Sequence, residues 1–455
     1  LIVTGLIEEA RQIYLDTIGE IGIGAIFRKK VKLIDELLVV NSETIELSKF
    51  RQIYLIGIGK ASLEIGKEME VLLGARLTRG VLVCDRRHKV EVRSQVIIAG
   101  HPVPDTSSLR AARVLLEMVR SSGPESLIIF LISGGGSSLV ESPVTSDLSL
   151  EDFKKLNGLL VHCGATIREI NTIRRRFSRI KGGGLWDEAR AARGLALYVS
   201  DVNVGDISSI ASGPLLPDES TDDEFQKIID NYSLIDSMPD SMKDLVRGGR
   251  IKSPPKQVKA SIPITHHVLL DSTDVIEAAI AVAVGKGYVT AAARDIEEGN
   301  YATVANELLS RLVELQKENP SKPVCLVSGG ELSCPVTGGG FGGRNQEFVL
   351  YCASRIASFN TESNVVVLSC GTDGIDGNSC AAGALASSAT LLEAERNGLK
   401  YSVYLMANDS HSFFKKTGGL IATGPTGNNV RDIRIMLSKP ETRGWPRKIL
   451  GEYSC

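Results

Sequence analysis

The feature that most constrains this chain is a recurring unit: a short, almost continuous apolar run, then glycine, then an amphipathic stretch. Arg51–Ile56 (RQIYLI) runs into Gly57-Ile58-Gly59-Lys60-Ala61-Ser62 and the helix-like ASLEIGKEMEVLL. Leu127–Ser133 (LIIFLIS) runs into Gly134-Gly135-Gly136-Ser137-Ser138, and GVLVCD, VIIAG and GLALYVSD are further runs of the same kind. An apolar run with no polar alternation reads as a strand covered on both faces, and strands separated by helices imply βαβ units and a largely parallel sheet. Residues 6–40, rich in Leu, Ile, Glu and Lys at mixed three-to-four spacing, read as two helical stretches.

The pattern pauses in the polar, turn-rich stretch Ser237–Pro263 and then restarts with HHVLL, YVTAAA, PVCLVS, NVVVLSCGTDG and GGLIATGPTG. A domain boundary is expected there, because 455 residues exceed the roughly 100–200 residues of one domain. The final stretch, KPETRGWPRKILGEYSC, reads as a loosely held tail.

Composition narrows the function classes. Lys and Arg number 52 and Asp and Glu 54, for a net charge of −2, which argues against a nucleic-acid or membrane-surface protein. The basic run Arg168, Arg174, Arg175, Arg176, Arg179 and Lys181 has one aromatic neighbour, Phe177, and reads as a charged helix face, part of which would be able to meet an anionic substrate. The longest apolar runs fall far short of the roughly 20 residues a membrane span needs. The N-terminal residues, acidic early and without a small-residue cleavage site, do not read as a signal peptide. The eight Cys contain no CxxC pair, so a reduced, cytoplasmic compartment is expected and zinc is not. Nor does any of the six His sit in a metal-ligand spacing, and each reads as an ordinary surface or core residue.

Glycine is the one unusual count, 45 of 455, against a usual share of about 7%. Much of it sits where strands end: Gly57–Ser62, Gly134–Ser138, Gly329–Gly330 leading to Gly338–Arg344, Gly371–Gly377 and Gly424–Gly427. Ligands of open parallel sheets bind beyond the carboxyl ends of strands, where glycine turns leading into helices present N–H groups to anions. Gly57–Lys60 is neither a Walker A loop nor a full dinucleotide fingerprint, since position 62 is Ser. Lys60 there would meet a phosphate as a point charge or stand solvated. Arg344, in Gly342-Gly343-Arg344-Asn345-Gln346-Glu347, is able to grip phosphate or carboxylate with two parallel hydrogen bonds. Asp373 and Asp376, three residues apart in a glycine frame, suit Mg²⁺ or are turn-forming Asx residues. Asp201 is a third carboxylate at a strand mouth.

The chain as a whole resembles the glycerate 2-kinase family, the type II glycerate kinases with a C-terminal MOFRL domain. The resemblance rests on IGIGKAS (Ile56–Ser62), GHPVPD (Gly100–Asp105), LISGGGSSL (Leu131–Leu139), GATIREIN (Gly164–Asn171), SRIKGG (Ser178–Gly183) and SDVNVGDISSIASGP (Ser200–Pro214). It continues in SGGE (Ser328–Glu331), GGRNQEF (Gly342–Phe348), GTDGIDG (Gly371–Gly377), NDS (Asn408–Ser410) and TGPTGNNV (Thr423–Val430). Members have also been called hydroxypyruvate reductases. The resemblance implies an α/β fold of two domains: a Rossmann-like, mostly parallel sheet domain over 1–257, and a second, MOFRL-containing α/β domain over 258–455, with the active-site cleft between them. It implies ATP-dependent phosphorylation of D-glycerate at its 2-hydroxyl, with ATP and Mg²⁺ as cofactors, small molecules as partners, and a homo-oligomer left open. It implies functional roles for Lys60 and Arg344; with Asp201, the carboxylate at a strand mouth that would orient the attacking hydroxyl or hold Mg²⁺, these are the expected catalytic residues. On the chemistry of their positions, the expected substrate- and nucleotide-binding residues are Gly134, Gly135, Gly136, Ser137, Ser138, Glu331, Asn345 and Asn408, and Asp373 and Asp376 are the expected metal ligands or would orient the attacking hydroxyl. The alternative is an NAD(P)H-dependent hydroxypyruvate reductase, for which half a dinucleotide fingerprint is present.

Overall fold

A computed structural model describes residues 2–86, 90–189, 191–251, 264–356 and 363–440. Its first helix, α1 (Ile2–Glu20), packs with the C-terminal half of the chain. The chain forms two units: one of Ile21–Ser272 with Gly427–Val430, the other of Leu1–Glu20, Thr273–Thr426 and Arg431–Cys455. The expected boundary at 257/258 and the tail beyond Pro440 lie outside the described residues.

The unit built on Ile21–Ser272 contains a six-stranded sheet. Its strands are β1 (Gln52–Ile58), β2 (Arg79–Cys84), β3 (Gln95–Ile98), β4 (Ser126–Ser133), β5 (Arg193–Val199) and β6 (Ile264–Leu270). Their order is β3-β2-β1-β4-β5-β6, and every pairing is parallel. The helices α2 (Ser62–Leu73) and α3 (Thr106–Arg120) are the crossovers after β1 and β3. All eight residues of β4 are buried, which is why its sequence shows no alternation. Ile56, Val81, Val83, Ile128, Phe130 and Leu115 share one core cluster. A buried side chain of this size contributes about 1.5–3 kcal/mol through surface removed from water. A second cluster, around Phe153, Leu156, Phe177 and Phe225, gathers on helix α4 (Ile167–Phe177), whose Thr166–Glu169 capping box marks its start.

One stretch departs from its sequence reading. Residues 31–40, read as helical, form two strands, Val31–Ile34 and Leu37–Val40, paired antiparallel. The turn between them places Asp35 at φ 55°, a left-handed position Asp tolerates, and burial alternates along both strands, with Val31, Leu38 and Val40 buried and Lys32, Ile34 and Leu37 exposed. The strand period therefore overrode the helix-forming composition.

The other unit holds a second six-stranded sheet. It is made of β7 (Val289–Ala293), β8 (Val324–Ser328), β9 (Ser363–Gly371), β10 (Gly383–Ser387), β11 (Leu420–Ile421) and β12 (Asp432–Pro440). The order β7-β8-β12-β9-β10-β11 contains one parallel pair, β7 with β8, and is otherwise antiparallel. The largely parallel sheet expected from the βα rhythm thus holds for the first sheet and not for the second. β12, the last strand among the described residues, inserts between β8 and β9 in the opposite direction, and β9, β10 and β11 run antiparallel in turn. Helices α5 (Tyr301–Glu318) and α6 (Arg344–Ile356) cover this sheet, α7 (Ser410–Thr417) packs on α6, and α1 packs against β9 and β12. Tyr14 of α1 is fully buried and donates to the Gly371 carbonyl at 3.0 Å.

Candidate functional site

In the first unit, β1, β4 and β5 are neighbours, so the turns at their carboxyl ends lie side by side. The turn after β1 carries Lys60, the turn after β4 carries Gly134–Ser138, and Asp201 follows β5. The Lys60 N–H donates to the Gly134 carbonyl at 2.9 Å, and the Ala61 N–H to Ser133 Oγ at 3.0 Å, tying the first two turns together. Gly59 has φ +128° and lies on Ser133, a conformation and a spacing that exclude a side chain. At Gly134 a β-carbon would run into the Asp201 carboxylate. Glycine at that position is what allows Asp201 to reach the turn.

Lys60 is half-buried, and its aliphatic chain passes over Gly135. His101, from the loop after β3, reaches the same place and pairs through Nδ1 with Ser138 Oγ at 3.0 Å. Burial, and then the positive charge of Lys60, push the His101 pKa below its ordinary value, so the ring is neutral at physiological pH. Ser137 Oγ pairs with Ser212 Oγ at 2.7 Å, and Ser212 Oγ donates to Asn171 Oδ1 at 2.7 Å. Of the two hydroxyls expected to bind ligand, each already has a protein partner. A cavity of about 730 Å³ elsewhere in this unit is lined by Arg168, Arg175, Asp206, Ser208 and Lys227 and by none of the expected site residues.

In the second unit, Arg344 opens α6. Its guanidinium holds Asp432 with two hydrogen bonds, Nε at 2.6 Å and Nη2 at 3.0 Å, and Glu331 through Nη1 at 2.6 Å. Three of the five N–H donors of the guanidinium are engaged in these bonds, and the side chain is 35% exposed. Asp432 lies 88 residues away in sequence and is 1% exposed. Burial raises the Glu331 pKa, and Arg344 opposes that rise.

Asn345 and Asp376 also meet here. Asp376, 2% exposed, accepts at Oδ1 from Asn345 N at 3.1 Å and Nδ2 at 3.2 Å. At Oδ2 it accepts from Gln346 N and Nε2, both at 2.9 Å. Asp373 accepts at Oδ1 from Ile375 N at 3.0 Å, an Asx turn. The Mg²⁺ reading of this pair therefore does not fit the loop. A carboxylate has about four acceptor positions, and those of Asp376 are filled by N–H donors. Among the described residues there is no group of three or more His, Cys, Asp or Glu able to hold a metal ion. Asn408, also expected to bind ligand, instead pins its own surroundings: Oδ1 accepts from Thr337 N and Gly338 N, both at 2.8 Å.

Sequence reasoning passed over three residues. His101 was read as an ordinary histidine, although it lies in the GHPVPD segment after a strand. Asp432 carried no local signal, because its partner is remote. Glu347 follows the Arg344 segment with no local sign of burial, yet it is 2% exposed, with neither oxygen in a hydrogen bond of good geometry.

A parallel sheet with a lysine, a glycine turn and a carboxylate at adjacent strand mouths defines a protein of the open α/β class, in which ligands bind beyond the carboxyl ends of strands. Residues 9–247 match a family described as a domain of unknown function (DUF4147), and residues 324–432 match the MOFRL family. A D-glycerate 2-kinase of Thermotoga maritima is 34% identical over 87% of this chain and 93% of its own length. A relative from Agrobacterium vitis, 35% identical over 84% of this chain and 98% of its own length, carries hydroxypyruvate reductase as a provisional name. The crystal structure of a glycerate kinase from Thermotoga maritima superposes with a TM-score of 0.81 at 31% identity, covering 95% of this chain and 99% of that one. The chain belongs to the glycerate 2-kinase family.

Proposed function

We infer that this protein transfers the terminal phosphoryl group of ATP to the 2-hydroxyl of D-glycerate, giving 2-phosphoglycerate and ADP. It is a phosphotransferase with an alcohol acceptor. The observation that carries the reading is the convergence of Lys60, Gly134–Ser138 and Asp201 at the carboxyl ends of three adjacent parallel strands. Phosphoryl transfer asks little covalent chemistry of the protein; it needs positioning and neutralisation of charge that develops on the transferring group.

Each residue then has a task. The backbone N–H groups of Gly134–Ser138 receive an anionic group of the ligands, and Lys60 supplies positive charge beside it. Asp201 orients the attacking hydroxyl and accepts its proton. His101, neutral and bonded to Ser138, holds the glycine turn without adding a competing cation. The two guanidinium donors of Arg344 left over from Asp432 and Glu331 face a carboxylate or phosphate oxygen of the ligands. Glu331, Asn345 and Asn408 shape that second group of residues. Were magnesium to enter with the ATP phosphates, it would add charge neutralisation there, and the pair Asp373 and Asp376 is not assigned to hold it. The working compartment is the cytoplasm; among the described residues no helix is long and apolar enough to cross a membrane.

The turn after β1 argues against a nicotinamide cofactor. Where a dinucleotide fingerprint has its third glycine, Ser62 stands buried with its hydroxyl donating to the Val83 carbonyl at 2.8 Å. The test gives the purified protein Mg-ATP and D-glycerate, and reads ADP release with 2- and 3-phosphoglycerate resolved. A parallel reaction supplies hydroxypyruvate with NADH or NADPH. ADP formation matched by 2-phosphoglycerate is expected. Nicotinamide oxidation without ADP would overturn the reading.

A further inference from the structure

The Asp376 carboxylate, poorly suited to a metal, has a different employment. The first N–H groups of a helix lack intrahelical partners and usually find a side chain at the residue just before the helix. For α6 that residue is Gly343, which has no side chain to offer. Asp376 supplies the missing acceptor from 31 residues away, taking the N–H groups of both Asn345 and Gln346 as well as their side-chain amides. Gly343 is bare for the same reason: a β-carbon there would collide with Asp376 Oδ1.

The clamp is braced on both sides. Ser369 Oγ, on β9, donates to Asn345 Oδ1 at 2.5 Å. Gln346 Nε2 also donates to Ser379 Oγ at 2.8 Å, and Ser379 Oγ donates to the Asp376 carbonyl at 2.8 Å. The residue immediately before the clamped pair is Arg344.

We propose that Asp376 is a positioning residue for Arg344: by capping α6 from the following loop, it fixes the backbone from which the Arg344 guanidinium extends. This rests on the reading above that Arg344 takes part in the reaction. Asp376 touches no ligand in this scheme and acts only through the first turn of α6. Asparagine at 376 would point an NH₂ group at N–H donors and remove half of the acceptors, so the turn would loosen while the loop kept its volume.

The experiment is a double-mutant cycle on kcat/KM for D-glycerate, with Arg344→Ala, Asp376→Asn and the double variant, alongside the Mg²⁺ concentration giving half-maximal rate. Loss of position at a reacting centre is expected to lower kcat/KM in Asp376→Asn about ten- to a hundredfold. The double variant should be no worse than Arg344→Ala, and the Mg²⁺ requirement should be unchanged. A general loss of folded enzyme would instead multiply the two effects. Gln346→Met, which removes one of the four donors, should show a smaller loss with the same coupling to Arg344, and it carries the test if Asp376→Asn does not fold. A silent Arg344→Ala overturns both the Arg344 role and this inference. A damaging Arg344→Ala overturns the inference alone if Asp376→Asn is silent, if the two effects multiply, or if the Mg²⁺ requirement rises.

Discussion

Replacing Glu347 by Gln should stabilise the protein above neutral pH and change little in mild acid. Glu347 is 2% exposed on α6, and both its oxygens lack a well-formed hydrogen bond. Burial is the main reason its pKa is pushed up to about 7 from an ordinary 4.5; the nearby Ser410 hydroxyl and N–H pull it back only in part, and the charges of Asp376 and Asp409 add to the rise. Between pH 4.5 and 7 the folded chain therefore holds a proton that the unfolded chain has released. Raising the pH through that window favours the unfolded state, and the stability present in acid is lost as pH passes 7. At about 1.4 kcal/mol per pH unit between the two midpoints, the full loss is about 3 kcal/mol, of which roughly 2–3 kcal/mol falls between pH 5 and 8. Glutamine keeps the shape of the protonated acid and does not ionise. Thermal or urea unfolding of both proteins at half-unit steps from pH 5 to 8 should show the variant's advantage growing up to about pH 7 and levelling off above it. An advantage that stays flat, or a variant less stable than the parent at pH 8, would refute the claim that this carboxyl is buried without adequate partners.

Three further outcomes follow from the geometry. Lys60→Met should lower kcat by about a hundredfold or more, as loss of a preorganised charge at a reacting group does; initial rates at saturating substrates check it, and a change below threefold would remove Lys60 from the reaction. Gly134→Ala should cost most of the activity because its β-carbon displaces the Asp201 carboxylate; a variant with parental kcat/KM would show that Asp201 need not sit where it does. Lys181 and Glu141 are 3% and 4% exposed and ion-paired, so Lys181→Met should destabilise by about 3–5 kcal/mol by stranding a buried carboxylate. Adding Glu141→Gln should recover much of that loss in urea unfolding, and equal stabilities of the single and double variants would contradict it.

Much of the first sheet could be read directly from the chain. β1, β4 and β5 announce themselves as apolar runs because strands covered on both faces have no polar side to show. The glycines that follow β1 and β4 mark the turns there because a backbone that must turn sharply against a neighbour excludes a β-carbon. Periodicity misjudged Val31–Val40, where four-residue strands are too short to separate from a helix by composition. It also gave no hint that β12 would enter the second sheet antiparallel, since strand direction depends on where a strand inserts.

The contrast is sharpest within GGRNQE. Sequence alone singled this segment out: glycine, arginine and amides in a row, with an arginine able to grip phosphate or carboxylate. Only the tertiary structure decided what each residue does. Arg344 meets Asp432, 88 residues on; Asp376, which reads locally as a metal ligand or a turn residue, caps α6; Glu347, a charged residue with no local sign of burial, is buried. Backbone propensity and burial are written residue by residue, so they are legible along the chain. Charge pairing and pKa arise between groups that folding brings together from distant positions, and no local pattern records which partner arrives.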